Sequence, residues 1–227
     1  GYEALNQNTA ANNTAVGYFA LNVNTTGTGN VAVGKGTLDA NTTAANNTAV
    51  GTTALGANTT GTQNAAFGTQ ALLNNTTANN NTGVGMNALF ANTTGANNTA
   101  VGSLALDAST TASDNTSVGY ASLTANTTGG NLVAVGKGAL ESNTTANNNV
   151  AVGLRALNAN TTGADNTAMG RDALYVNTTG GYNVALGGFA LDANTTAAGN
   201  TAVGWGSGSA NTTGAGMVAV GYTTLDA

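Results

Sequence analysis

Apolar residues along this chain fall into two short groups either side of an unvarying glycine, and the arrangement then repeats. In Thr14 to Asn30, TAVGYFALNVNTTGTGN, a Thr-Ala-Val group precedes Gly17, Ala20 and Leu21 follow it, and an Asn-Thr-rich tail closes the unit. Further copies begin at Val31, Thr48 and Ala65, a period of 17 residues. Numbered from Thr14, twelve full copies cover 14–217, with partial copies at 1–13 and 218–227. A fixed period this short predicts a repeat array in which each copy is one coil stacked on the next. A helix needs apolar residues at i, i+3, i+4 and i+7 over several turns, and the glycine and the polar tail interrupt that spacing. The expected fold is therefore all-β, a parallel β-solenoid forming a single repeat domain over 1–227, read as a segment of a longer array.

Within a copy, the first three positions read as a short strand with its outer two side chains on one face. The third position is Val apart from Phe67, Met169 and Leu186, and the eighth is Leu apart from Gly208. These rows are the expected core, and the copy at Thr201, lacking its leucine, is the expected weakest coil. The fourth position is Gly in every copy, which requires either positive φ or close approach of another backbone. The second position is always Ala, Gly or Ser. Alternation turns it away from the expected core, and a row kept this small implies a neighbour, so Ala15, Ala32, Ala49, Ala66, Ala100, Ala134, Ala151, Ala168, Ala185, Ala202 and Ala219 are assigned as an oligomer contact. Positions eleven to thirteen are Asn-Thr-Thr in eleven of the twelve full copies, Ser109-Thr110-Thr111 being the exception. They read as a second strand, and the four residues after them as a turn.

Composition narrows the functional classes. Only 6% of residues are charged and 5% aromatic, so the core is thin, which again favours burial against another chain. Four Lys and Arg against nine Asp and Glu leave a net charge of −5, with no basic cluster for nucleic acid. No apolar run is long enough to span a membrane as a helix. There is no His and no Cys. That removes the Ser-His-Asp triad, the cysteine nucleophile and the common zinc sites, so no enzyme, cofactor or metal site is expected. Acids at Asp39, Glu141, Asp192 and Asp226 recur at the ninth position and read as a solvated rim, without the Gly-Gly-x-Gly-x-Asp pattern of calcium-binding rolls.

Two side-chain rows carry open alternatives. Asn-x-Thr sequons at Asn24, Asn41, Asn58, Asn75, Asn92, Asn126, Asn143, Asn160, Asn177, Asn194 and Asn211 offer N-glycosylation if they face outward, and an internal amide ladder if they face inward. Further sequons lie in the turns at Asn12, Asn46 and Asn97. The Thr rows suggest an alternative function as an ice-binding solenoid, although strand alternation puts Asn24 and Thr26 on one face and Thr25 on the other. Tyr18, Phe19, Phe90, Tyr120, Tyr175 and Trp205 sit at rim positions suited to adhesion or sugar stacking.

The string Asn-Val-Ala-Val-Gly-x-x-Ala-Leu at Asn149 to Leu157, with its variants at Asn30 to Leu38 and Asn13 to Leu21, resembles the head repeats of YadA-like trimeric autotransporter adhesins. It also resembles repeat arrays of bacterial surface proteins and phage-type tail fibres. The resemblance covers nearly the whole chain, although the period is longer than the usual YadA repeat and Asn-Thr-Thr is not part of that pattern. It implies a left-handed β-roll, three chains side by side as a homo-oligomer, and a location outside the cell, on its surface or on a virion tail. It also implies a structural fibre or adhesin function, with surface or matrix glycans among the partners.

Overall fold

The computed structural model describes residues 1–225; Asp226, one of the predicted rim acids, lies outside them. The described chain contains strands and turns and no helix. It divides into two compact units, Gly1–Asp114 and Asn115–Ala227. In the first unit lie β1 (Thr14–Val16), β2 (Val31–Val33), β3 (Thr48–Val50), β4 (Ala65–Phe67), β5 (Thr82–Val84) and β6 (Thr99–Val101). In the second lie β7 (Thr116–Val118), β8 (Val133–Val135), β9 (Val150–Val152), β10 (Thr167–Met169), β11 (Val184–Leu186), β12 (Thr201–Val203) and β13 (Val218–Val220). Within each unit, successive strands pair in parallel with like positions opposed, as in Ala32↔Ala49 of β2 and β3 and Ala134↔Ala151 of β8 and β9. This is the expected parallel β-solenoid.

Each coil contributes one strand rather than two, because Asn-Thr-Thr forms a bend. Hydrogen bonding between coils nevertheless continues beyond the strand. The Gly34 N–H donates back to Val16 C=O and the Gly36 N–H to Tyr18 C=O (both 2.8 Å), while the Leu38 N–H donates forward to Ala54 C=O (3.1 Å). Alternation of this kind needs left-handed backbone at the corner. The eighth-position leucines accordingly hold φ between 50° at Leu157 and 56° at Leu5, with Leu21 and Leu55 at 53°. That conformation costs an L-residue about 1–2 kcal/mol, and it is retained because it points the leucines from Leu21 to Leu191 into the coil, where they are fully buried.

At the fourth position, both reasons for glycine hold together. Gly51 has φ of 135°, and a Cβ placed on it would lie 2.4 Å from the Gly68 carbonyl oxygen in the next coil. No side chain fits there without moving backbone.

The core differs from the expectation in one respect: the strand is turned over. Val16 is 57% exposed, and Phe67, Val101 and Met169 are also exposed, so the third-position row is an outer row. The predicted oligomer contact is the inner one. Ala32, Ala49, Ala66, Ala100, Ala134, Ala151, Ala168, Ala185 and Ala202 are fully buried within the chain, Ala219 is buried, and Ala15 in the first strand is half-buried. The ten buried ones therefore cannot form a contact with another copy. Physically, the leucine from the opposite wall fills the thin coil and leaves room on the strand only for a methyl group. The β-branched residues occupy the outward positions, where they suit a pleated strand.

In the coil at Thr201, another side chain takes up the space of the missing leucine. Gly208, in the leucine position with φ of 65°, remains buried, and a Cβ built there would lie 2.6 Å from Met217 Cε. Met217 stands where most coils have Asn, and its flexible side chain occupies the space the leucine vacates.

Candidate functional site

The Asn-Thr-Thr bend settles the orientation of the sequon row. Asn24, Asn41, Asn58, Asn75, Asn92, Asn126, Asn143, Asn160, Asn177 and Asn194 are all fully buried, and Asn211 is half-buried. Each amide works as a rung. Asn58 Nδ2 donates to Asn41 Oδ1 in the preceding coil (3.0 Å) and to the Gly61 carbonyl of its own coil (2.9 Å), and Asn75 Nδ2 donates in turn to Asn58 Oδ1 (3.0 Å). A sugar on any of the ten fully buried nitrogens would take one of its two N–H donors and have no room, so the glycosylation assignment is incorrect for those ten and the internal ladder is present. Of the turn sequons, Asn12, Asn46 and Asn97 are exposed.

A second internal ladder was not anticipated. The seventeenth-position asparagines, such as Asn30, Asn47 and Asn64, are also buried. Asn47 Oδ1 accepts from the Asn64 backbone N–H (2.9 Å), and its Nδ2 donates to Gly61 C=O (2.9 Å). The Gly61 carbonyl thus receives one amide from each row, which ties successive coils together through buried, paired polar groups. Its sequence signal is the recurrence of Asn at that position, within a segment whose composition reads as a turn.

The threonines differ in role. The Thr25 hydroxyl donates to the Thr42 carbonyl (3.0 Å) and Thr59 to Thr76 (3.1 Å), so this row is engaged between coils. Thr26, Thr43 and Thr60 are exposed. Asn24 and Thr26 therefore face opposite ways, contrary to the strand alternation, because the segment bends.

Two features remain on the surface. The first is the outward face of each unit's sheet, built from Thr or Val at the first position and Val at the third, with Phe67, Met169, Leu186 and Ala65 as variants. No charged residue occurs on it. The second is the rim at positions five, six and nine. Tyr18 and Trp205 are exposed there, and Asp39, Glu141 and Asp192 are half-exposed. Arg155 grips Asp172 with two nitrogens, Nε to Oδ1 at 2.9 Å and Nη2 to Oδ2 at 3.0 Å, and lies 4.8 Å from the Tyr175 ring centre. Hydrogen bonding and charge from Asp172 raise the Arg155 pKa further. Burial raises the carboxyl pKa of Asp192, and burial also raises that of Asp39 against a hydrogen bond from Asn22.

Among the described residues, no three His, Cys, Asp or Glu side chains come together as a metal-ligand group. No helix among them is long and apolar enough to cross a membrane. No family model, curated protein or solved structure matches the chain.

Proposed function

We propose that the protein is a structural, self-associating segment of an extracellular fibre or adhesin, without catalysis, whose variable rim makes attachments to surfaces. The observation that carries this reading is the outward sheet face, an uncharged and regularly repeated Thr/Val-x-Val surface on each unit. Solvent-facing rows ordinarily carry Lys, Glu and Gln. A face whose third-position row is apolar throughout marks an interaction surface, and a chain whose interior is largely Ala, Leu and Asn gains stability by covering it. The contact thus shifts from the second-position row to the first and third. Three copies side by side is the stoichiometry implied by resemblance to the trimeric adhesin heads.

The test replaces one outward valine in each unit, Val50→Asp with Val135→Asp. Both side chains project from the sheet, so the variant keeps its β-type circular dichroism and sediments as a monomer where the parent sediments as an oligomer. A monomeric parent sinks the proposal.

The same face favours a second reading. Thr48, Thr82 and Thr99 share the surface with Val50, Val84 and Val101, a repeated hydroxyl and methyl pattern suited to ordering water as an ice-binding surface does. Thermal hysteresis decides it: none at millimolar protein removes this reading.

A further inference from the structure

At the rim of the second unit, residues from positions five, six and nine enclose an open cleft of about 440 Å³. Its cause is the absence of two side chains. Gly206 stands at the sixth position between Phe189 and Thr223, and the gap it leaves is the cleft floor. Gly188, at the fifth position one coil earlier, lets the Trp205 indole settle against the backbone, with Cδ1 3.1 Å from where a Cβ would be.

Trp205 is held from several sides. Phe189 meets it edge to face with ring centres 5.5 Å apart, and Tyr222 stacks on it at 5.4 Å and 14°. Phe189 is itself covered by the Arg171 guanidinium, 4.4 Å from its ring centre. The indole is thus a fixed platform. Asp192, which can accept hydrogen bonds, Arg171, which can donate them, and the hydroxyl-bearing Ser209 and Thr223 also line the cleft.

We propose that this cleft binds a pyranose ring of a neutral glycan, packed against the exposed part of the Trp205 indole, with its hydroxyls shared between Asp192, Arg171 and Ser209. The chemistry is matched on three counts. The exposed part of the indole offers an apolar body to the sugar's C–H groups, while the polar residues that line the cleft take its hydroxyls. One cation and one anion line the cleft together, so neither a cationic nor an anionic ligand gains a net attraction. The volume falls within the roughly 300–1,000 Å³ of small-ligand sites. This inference deepens the attachment half of the proposed function and does not depend on the self-association half.

Trp205 is the single tryptophan of the chain, so its fluorescence reports on the cleft directly. The whole protein is titrated with methyl β-galactopyranoside, methyl β-glucopyranoside and, as an acyclic polyol control, sorbitol. A saturable change with at least one pyranoside is expected, with Kd on the order of 1–10 mM, and none with sorbitol. Asp192→Ala removes the acceptor, and Gly206→Asn fills the floor. Asparagine is chosen because Asn87 holds the same corner position at φ of 58°, against 62° at Gly206, so the backbone conformation is retained. Each variant is expected to keep its circular dichroism and weaken binding at least about tenfold, a loss of about 1.4 kcal/mol.

No saturable response to either pyranoside, an equal response to sorbitol, or undiminished affinity in both variants overturns the inference. The monomeric Val50→Asp/Val135→Asp variant is titrated in parallel, and retained pyranoside binding there separates the cleft from the oligomer contact.

Discussion

Ser109 lies in the eleventh position of its coil, directly after Asn92 in the amide row, and neither its hydroxyl nor Asn92 Oδ1 has a hydrogen-bond partner among the described residues. Both groups are buried. In the coils before it, each Oδ1 receives an Nδ2 from the next, as Asn75 Oδ1 does from Asn92 (2.9 Å). The serine is too short to reach. An unpartnered buried acceptor is the costly outcome for an amide. Ser109→Asn restores the rung and is expected to stabilise the protein by about 1 kcal/mol, read as a higher urea midpoint. An unchanged or lower midpoint means the ladder does not hold the coils together.

The inverted strand gives a second prediction. Ala49 is fully buried between Ala32 and Ala66, facing the core leucines. Ala49→Leu overfills that space and is expected to lower stability by about 1–3 kcal/mol. Were the row an oligomer contact instead, the substitution would disturb association and leave unfolding of the monomer unaffected. Denaturation of the monomeric Val50→Asp/Val135→Asp background distinguishes the two.

Gly208 and Met217 form a compensating pair. Gly208→Leu alone drives a side chain into Met217 Cε, and Met217→Asn alone empties the space beneath Gly208. Each single change is expected to destabilise, whereas the double variant returns the coil to the pattern of its neighbours and recovers stability. A double-mutant cycle should give a coupling of about 1–3 kcal/mol. Additive effects would show that the methionine does not fill the leucine's place.

Asp39 supplies a pH dependence. Burial raises its carboxyl pKa above the ordinary 3.8, so the folded state holds this proton more tightly than the unfolded chain. The stability that proton contributes is fully present below the ordinary value and is lost as pH rises through the raised one. Asp39→Asn removes the charge, and it adds an N–H donor beside Asn22 Oδ1, which is buried without a hydrogen-bond partner among the described residues. The variant is therefore expected to melt higher than the parent at neutral pH, with the difference shrinking in acid. A difference that grows in acid contradicts the assignment.

The sequence by itself determined the period, the stacking of like on like, the glycine corner and the inward leucine, because each follows from one residue type recurring in one place. Thr14 to Asn30 was readable as one coil on those grounds. Tertiary structure alone decided which way the strand faces. Thr-Ala-Val alternates equally well with Val or with Ala inward, and the choice rests on how much space Leu21 and its counterparts leave across a thin coil. The direction of Asn24 was likewise undetermined, since a strand and a bend project the same three residues differently, and only the carbonyl at the fourteenth position, receiving amides from two rows, fixes the asparagines inside. The cleft at Trp205 lay beyond reach for the same reason: its walls come from residues in successive coils, brought together by stacking, and its floor is a side chain that Gly206 does not have.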